Sequence, residues 1–249
     1  MYWRGKHRKG PRAPGPQLSS PDSMIQVQAH PRPFPHGGVR PADLALIVID
    51  MQRDFLEPNG YLAAMGYDVD QVRSAIQPAS RLLDLARGAK LTVIHTRQGY
   101  RPDLAEVPPY MLARIKAGTS AIGRAGPLGR FLIRGERGFE IISELQPLES
   151  ELVVDKSGNG AFWGTDLASI LAANGIHSLI LAGVTTDVCV HSTLREAIDR
   201  GFECLLVSDA CASGDPKVHR AALDMVMVED GVFGVIADVE AVEKAFSQI

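Results

Sequence analysis

Three cysteines in 249 residues are too few, and odd in number, for a disulfide framework. Cys189, Cys204 and Cys211 show no CxxC spacing, so a reducing cytoplasm is the expected setting. No cluster of His, Cys or carboxylates has metal-ligand spacing, which argues against a zinc site. The net charge of −3 offers nothing to attract nucleic acid or an anionic membrane. No apolar run approaches the ~20 residues needed to cross a bilayer. Residues 1–40 lack both apolar periodicity and the apolar segment of a secretory signal. Within them, residues 1–23 are basic and rich in Pro, Gly and Ser and read as a disordered tail that is dispensable or, with Met24 as the true start, not native. Pro31 to Pro41 reads as an extended lead-in, because four prolines oppose regular structure.

What remains, residues 41–249, has the makings of one enzyme-sized domain. Apolar content is 45% and charged content 22%, ordinary values for a globular chain. Short Val/Ile/Leu-rich segments alternate with amphipathic helical patterns, which predicts a three-layer α/β/α sandwich around a parallel sheet. Strands are predicted at Leu44–Asp50, Leu91–Thr96, Leu152–Asp155, Ser178–Ala182, Glu203–Ser208 and Gly234–Ala237. Helices are predicted at Val72–Gly88, Asp166–Asn174, Val188–Arg200, Lys217–Val228 and Val239–Phe246. Gly99 to Gly138 is aperiodic and reads as a long functional loop or oligomer contact.

Three strand ends carry chemistry. LALIVID stops at Asp50, ELVVDK stops at Lys156, and LILAGVTTDVC leads from a strand through a turn to Cys189 at a helix start. The carboxyl ends of parallel strands share one edge, where α/β sheets bind ligands. A thiolate at a helix N-terminus gains from the free N–H groups and the helix dipole. Acid, cation and thiol on one edge point to a hydrolase. The bland readings are a capping aspartate, a solvated loop lysine and a packed cysteine, the last of which suits Cys204 and Cys211. His191 should face away from Cys189, while His95 either lines the pocket or satisfies a core hydrogen bond. Arg97, Arg101, Asp103 and Glu106 read as surface charges. Gly158-Asn159-Gly160 followed by Gly164 has the wrong spacing for a dinucleotide loop. A non-catalytic metabolite-binding α/β protein is the competing class.

On LALIVIDMQRDF, VVDKSGNGAFWGTDL and LILAGVTTDVCVHSTLREAIDRGFECLLVSDAC, the chain resembles the isochorismatase-like cysteine hydrolases over about Pro41 to Ile249. The resemblance implies a six-stranded parallel sheet and an Asp50–Lys156–Cys189 triad. It also implies a cis Val184–Thr185 bond, with the N–H groups of Thr185 and Cys189 as oxyanion donors. The implied reaction is cleavage of a small linear ureide or amide through a thioester, without a cofactor. Within the family, HTRQGYRPDL and EDGVFG are most similar to biuret and triuret hydrolases, with ureidoacrylate amidohydrolases more distant. Glu229, where biuret enzymes carry glutamine, favours a donor-rich substrate end such as triuret. Gln52, Phe55, Phe162, Trp163 and Glu229 are the candidate substrate contacts. The Glu57–Leu62 loop lacks the histidine of metal-binding relatives, so no metal is expected. A homotetramer is the implied assembly.

Overall fold

The computed structural model describes residues 24–248. Six parallel strands form the central sheet: β1 (Leu44–Ile49), β2 (Thr92–Gln98), β3 (Leu152–Lys156), β4 (Ser178–Val184), β5 (Glu203–Ala212) and β6 (Val235–Ala237). Their spatial order is β6-β5-β4-β1-β2-β3, so the winding reverses between β1 and β4. A reversal of this kind opens a crevice at the carboxyl ends of the two strands.

All of β1 is buried, because both of its faces are covered. Leu44, Leu46 and Val48 join one core with α1 (Ile76–Gly88) and α5 (Val239–Phe246). Ala45, Ile47 and Ile49 point the other way, toward α2 (Leu167–Ala173), α3 (His191–Ile198) and α4 (Pro216–Val226). The side-chain period of two thus makes a continuous apolar run serve two cores. Each fully buried Leu or Ile contributes about 1.5–3 kcal/mol.

Several boundaries differ from the sequence reading. The predicted Val72–Gly88 helix is two, Val69–Arg73 and α1, and Asp68 caps the first by accepting from the N–H groups of Asp70 and Gln71. The predicted helix from Val188 begins instead as a π-helical turn, Thr186–Val190, before α3. Pro31 to Pro41 is not a lead-in outside the fold. Strands Ile25–Val27 and Phe34–Val39 pair antiparallel, with Ile25, Val27 and Phe34 buried in the α1/α5 core. Prolines are tolerated there because an outlying hairpin leaves N–H positions that no neighbour needs. The folded domain therefore includes residues 25–40, and the tail expected at residues 1–23 lies outside the described residues. Gly99 to Gly138 carries a helix, Pro109–Lys116, and a small ladder, Ala125–Gly126 with Gly129–Arg130. Phe131, Leu132 and Ile133 bury it against the domain.

Two positions hold this arrangement in place. Gly183 pairs with Ile49 at φ 125°, and a Cβ there would lie 2.1 Å from the Ile49 carbonyl oxygen. Only glycine lets β1 and β4 approach this closely at the switch point. Asp54 is wholly buried beneath the Leu132 segment, accepting the Leu132 N–H at 2.7 Å on Oδ2 while Oδ1 has no partner. Burial pushes its carboxyl up to about 6, the N–H groups of Leu132 and Tyr61 pull it back, and Glu136 adds to the rise.

Gly183→Ala should cost on the order of 3 kcal/mol or more, read as a lowered thermal midpoint. Retention of the wild-type midpoint would mean the strand ends are not in contact. Asp54 binds its proton more tightly folded than unfolded, so its ionisation lowers stability as pH rises from about 4 to 6. Asp54→Asn should therefore stabilise the protein by about 3 kcal/mol at pH 8 and by nothing below pH 4 in urea titrations. An advantage independent of pH would contradict this.

Candidate active site

Four neighbouring strand ends supply the site. Asp50 follows β1 in the left-handed region at φ 52°, where a short polar side chain is tolerated. Its N–H donates to the Thr96 carbonyl, and its Oδ1 accepts the Thr96 hydroxyl at 2.6 Å. Lys156, the last residue of β3, is 1% exposed and brings Nζ to 2.7 Å from Asp50 Oδ2. The same ammonium donates to the carbonyls of Gly158 (3.0 Å) and Asn159 (2.9 Å) and to Gln98 Oε1 (3.4 Å). Although it contacts the ammonium, Asp50 Oδ2 has no aligned hydrogen-bond donor and keeps a lone pair open.

Cys189 sits in the π turn that follows β4, 4% exposed. Extra turns of this type recur at functional sites because they re-aim a side chain. The cis Val184–Thr185 bond stands just before it. The thiol donates to Gln98 Oε1 at 2.9 Å, and the charges of Lys156 and Asp50 both act on it. Burial pushes the thiol up, the Lys156 ammonium pulls it back, and Asp50 raises it further. Its net direction is upward, so Cys189 rests as a thiol, contrary to the lowering expected from the helix start. Desolvation outweighs the dipole because the sulfur is inside the protein. Burial also works to lower Lys156, but the Asp50 carboxylate beside it overcomes this and leaves the lysine raised and protonated.

A cavity of about 280 Å³ opens above Cys189, with Phe55, Tyr61, Tyr100 and Leu132 on its walls. Thr185 borders the turn side. Two charged residues line it, Arg114 and Asp187. Asp187 accepts the Ser213 hydroxyl, whereas Arg114 has no acidic partner among the described residues. A larger, open groove between α1 and α5 is walled by the Arg81–Glu243 ion pair and holds none of Asp50, Lys156 and Cys189.

Of the predicted substrate contacts, Phe55 reaches the cavity and the rest do not; the oxyanion candidates Thr185 and Cys189 both line it. Gln52 is wholly buried, its amide donating to the Gln98 and Phe139 carbonyls and accepting the Gln98 N–H, so it braces the strand end. Phe162 packs in the α2/α3 core against Phe202. Trp163 is 62% exposed, and Glu229 is exposed on a left-handed turn at φ 51°. Neither lines the cavity, because the short turns carrying them face solvent. His95 is a core residue bonded to Glu151 at 2.9 Å. Arg97 and Arg101 pair with Asp155 and Asp103 at the surface. Gln98 and Arg114 were missed. Gln98 closes a strand at the same edge as Asp50 and Lys156, a signal the sequence did carry. Arg114 lies in the aperiodic segment, where no pattern assigns a direction.

A sequence profile of the Isochorismatase domain matches residues 44–241. The chain is 31% identical to ureidoacrylate amidohydrolase RutB of Azorhizobium caulinodans, over 90% of this chain and 97% of that protein. Its fold matches a cysteine hydrolase from Pseudomonas syringae pv. phaseolicola 1448A with a TM-score of 0.71 and 26% identity, covering 93% and 100% of the two chains. It also matches N-carbamoylsarcosine amidase from Thermoplasma acidophilum with a TM-score of 0.62 and 27% identity, covering 80% and 97%. With its six-stranded parallel sheet and a domain match spanning most of its length, the chain belongs to the isochorismatase family.

Proposed function

We propose that this chain is a cysteine amidohydrolase acting on a small linear ureide, with Asp50, Lys156 and Cys189 as its reacting groups. The observation that carries the reading is a fully buried ammonium–carboxylate contact of 2.7 Å beside a thiol at the floor of a cavity. Burying two ions costs several kcal/mol each, so such a pair is poor support for a fold and good support for chemistry.

In the reaction the Cys189 S–H bond breaks and its proton moves to Asp50 Oδ2. The sulfur attacks the carbamoyl carbon, and the N–H groups of Thr185 and Cys189 hold the oxyanion, each worth about 3 kcal/mol. Lys156 offsets the negative charge that passes between sulfur and carboxylate. Asp50 returns the proton to the leaving nitrogen, the C–N bond breaks, and a thioester remains. Asp50 then takes a proton from water, whose oxygen attacks the thioester carbon; the C–S bond breaks, and Asp50 returns the proton to the sulfur.

The names of the relatives, ureidoacrylate amidohydrolase and N-carbamoylsarcosine amidase, both denote carbamoyl-nitrogen acids. The unpaired Arg114 on the cavity wall supports the same choice here. A carboxylate-bearing ureide of the ureidoacrylate kind is therefore preferred to neutral biuret or triuret. Glu229 gives no preference for triuret, since that side chain lies outside the cavity.

Ammonia release should be measured with ureidoacrylate, N-carbamoyl amino acids, biuret, triuret and nicotinamide. Cys189→Ser should lose a factor on the order of 10⁴ or more with every substrate, while its melting temperature holds. Near-wild-type turnover by that variant would remove covalent catalysis. Arg114→Ala should raise KM about 10- to 100-fold for the ureido acids and leave biuret unchanged. An equal effect on both classes would sink the carboxylate assignment.

A further inference from the structure

Cys189 carries one proton and faces two acceptors. Gln98 Oε1 takes the S–H at 2.9 Å, while Asp50 Oδ2 stands close by with an open lone pair. The orientation of the Gln98 amide is fixed from outside. The Lys156 ammonium at 3.4 Å requires the oxygen on its side. Gln98 is 7% exposed and lines the cavity, so the same oxygen can be reached by a bound ligand.

We propose that Gln98 is a further catalytic residue, whose Oε1 holds the Cys189 proton at rest and releases it to Asp50 when a substrate N–H takes its place. A hydrogen bond from the thiol stabilises the neutral sulfur, and an amide oxygen so close would repel a thiolate. The resting nucleophile is thereby kept from reacting with stray electrophiles. A ureide enters with an N–H beside the carbonyl to be attacked and donates it to Oε1. The S–H then turns to Asp50 Oδ2. There the S–H bond breaks, an O–H bond forms, and the sulfur electron pair is free to form the S–C bond. Gln98 exchanges hydrogen bonds only and neither gains nor loses a proton. Substrates that lack an N–H at the scissile group, such as esters, leave the proton on Gln98.

The substrate half of this inference rests on the ureide reading above, but the resting half does not. It is tested without substrate, by the pH dependence of Cys189 alkylation with iodoacetamide in the full chain, located by peptide mass spectrometry. Gln98→Met removes the acceptor at similar size. Its alkylation midpoint should fall and its rate at pH 7 should rise about tenfold, while KM for the ureide rises about tenfold. Gln98→Glu keeps the shape and the contact to Lys156 but adds charge, so its midpoint should rise. The fall in Gln98→Met is the signature, because an added carboxylate raises the midpoint whatever the role of Gln98. Equal shifts, or profiles matching wild type, would overturn the resting role. An unchanged KM in Gln98→Met would overturn the substrate role. If Gln98→Met fails to fold, Gln98→Leu takes its place: a lowered midpoint supports the proposal, and any other result overturns it. Absence of ammonia release from every ureide would instead count against the proposed function and leave the alkylation result standing.

Discussion

An ammonium and a carboxylate in contact inside a protein make a demand that the surrounding structure must meet. Asp50 and Lys156 are both essentially without solvent. Their mutual attraction offsets desolvation only if the remaining donors and lone pairs are also served. The Thr96 hydroxyl serves Asp50, and two backbone carbonyls of the Ser157–Gly160 turn serve Lys156. One carboxylate oxygen is left without an aligned donor. That single deficit is the position proposed to receive the thiol proton.

Meeting the demand shapes the backbone around it. Asp50 accepts a left-handed conformation, Gly183 lets β4 close on β1, and the π turn lifts Cys189 onto the same edge. Conformations of this sort cost about 1–3 kcal/mol each and last only where the packing on either side holds them. Here the two cores covering β1 supply that hold.

The roof of the cavity is tied to the same framework from the other side. Gln52 joins the end of β2 to the Phe139 carbonyl, and Asp54 captures the N–H of Leu132. Two polar residues of the MQRDF segment thus connect the strand ends at the cavity to the loop that shapes it. Their chemistry is spent on backbone groups, which is why neither meets a ligand. A Cβ at Gly138 would lie 2.4 Å from Asp54 Oδ1, so the roof can settle there only as glycine.

Most of the sheet was readable along the chain, because a strand covered on both faces must be apolar throughout and must end where polarity returns. The same rule marked Asp50 and Lys156, and the turn after β4 marked Cys189. The sequence could not say which other side chains arrive at the cavity. Trp163 and Glu229 sit near informative motifs yet face solvent, and Gln52 faces in but is fully engaged. Gln98 and Arg114 come from a neighbouring strand and an aperiodic segment. Proximity along the chain fixes which elements form. Contact across the sheet depends on strand order and on the packing of the Gly99–Gly138 segment, and both are properties of the assembled core. The hairpin at residues 25–39 obeys the same division: its prolines spoke against structure locally, and the apolar side chains between them found partners only once α1 and α5 were in place.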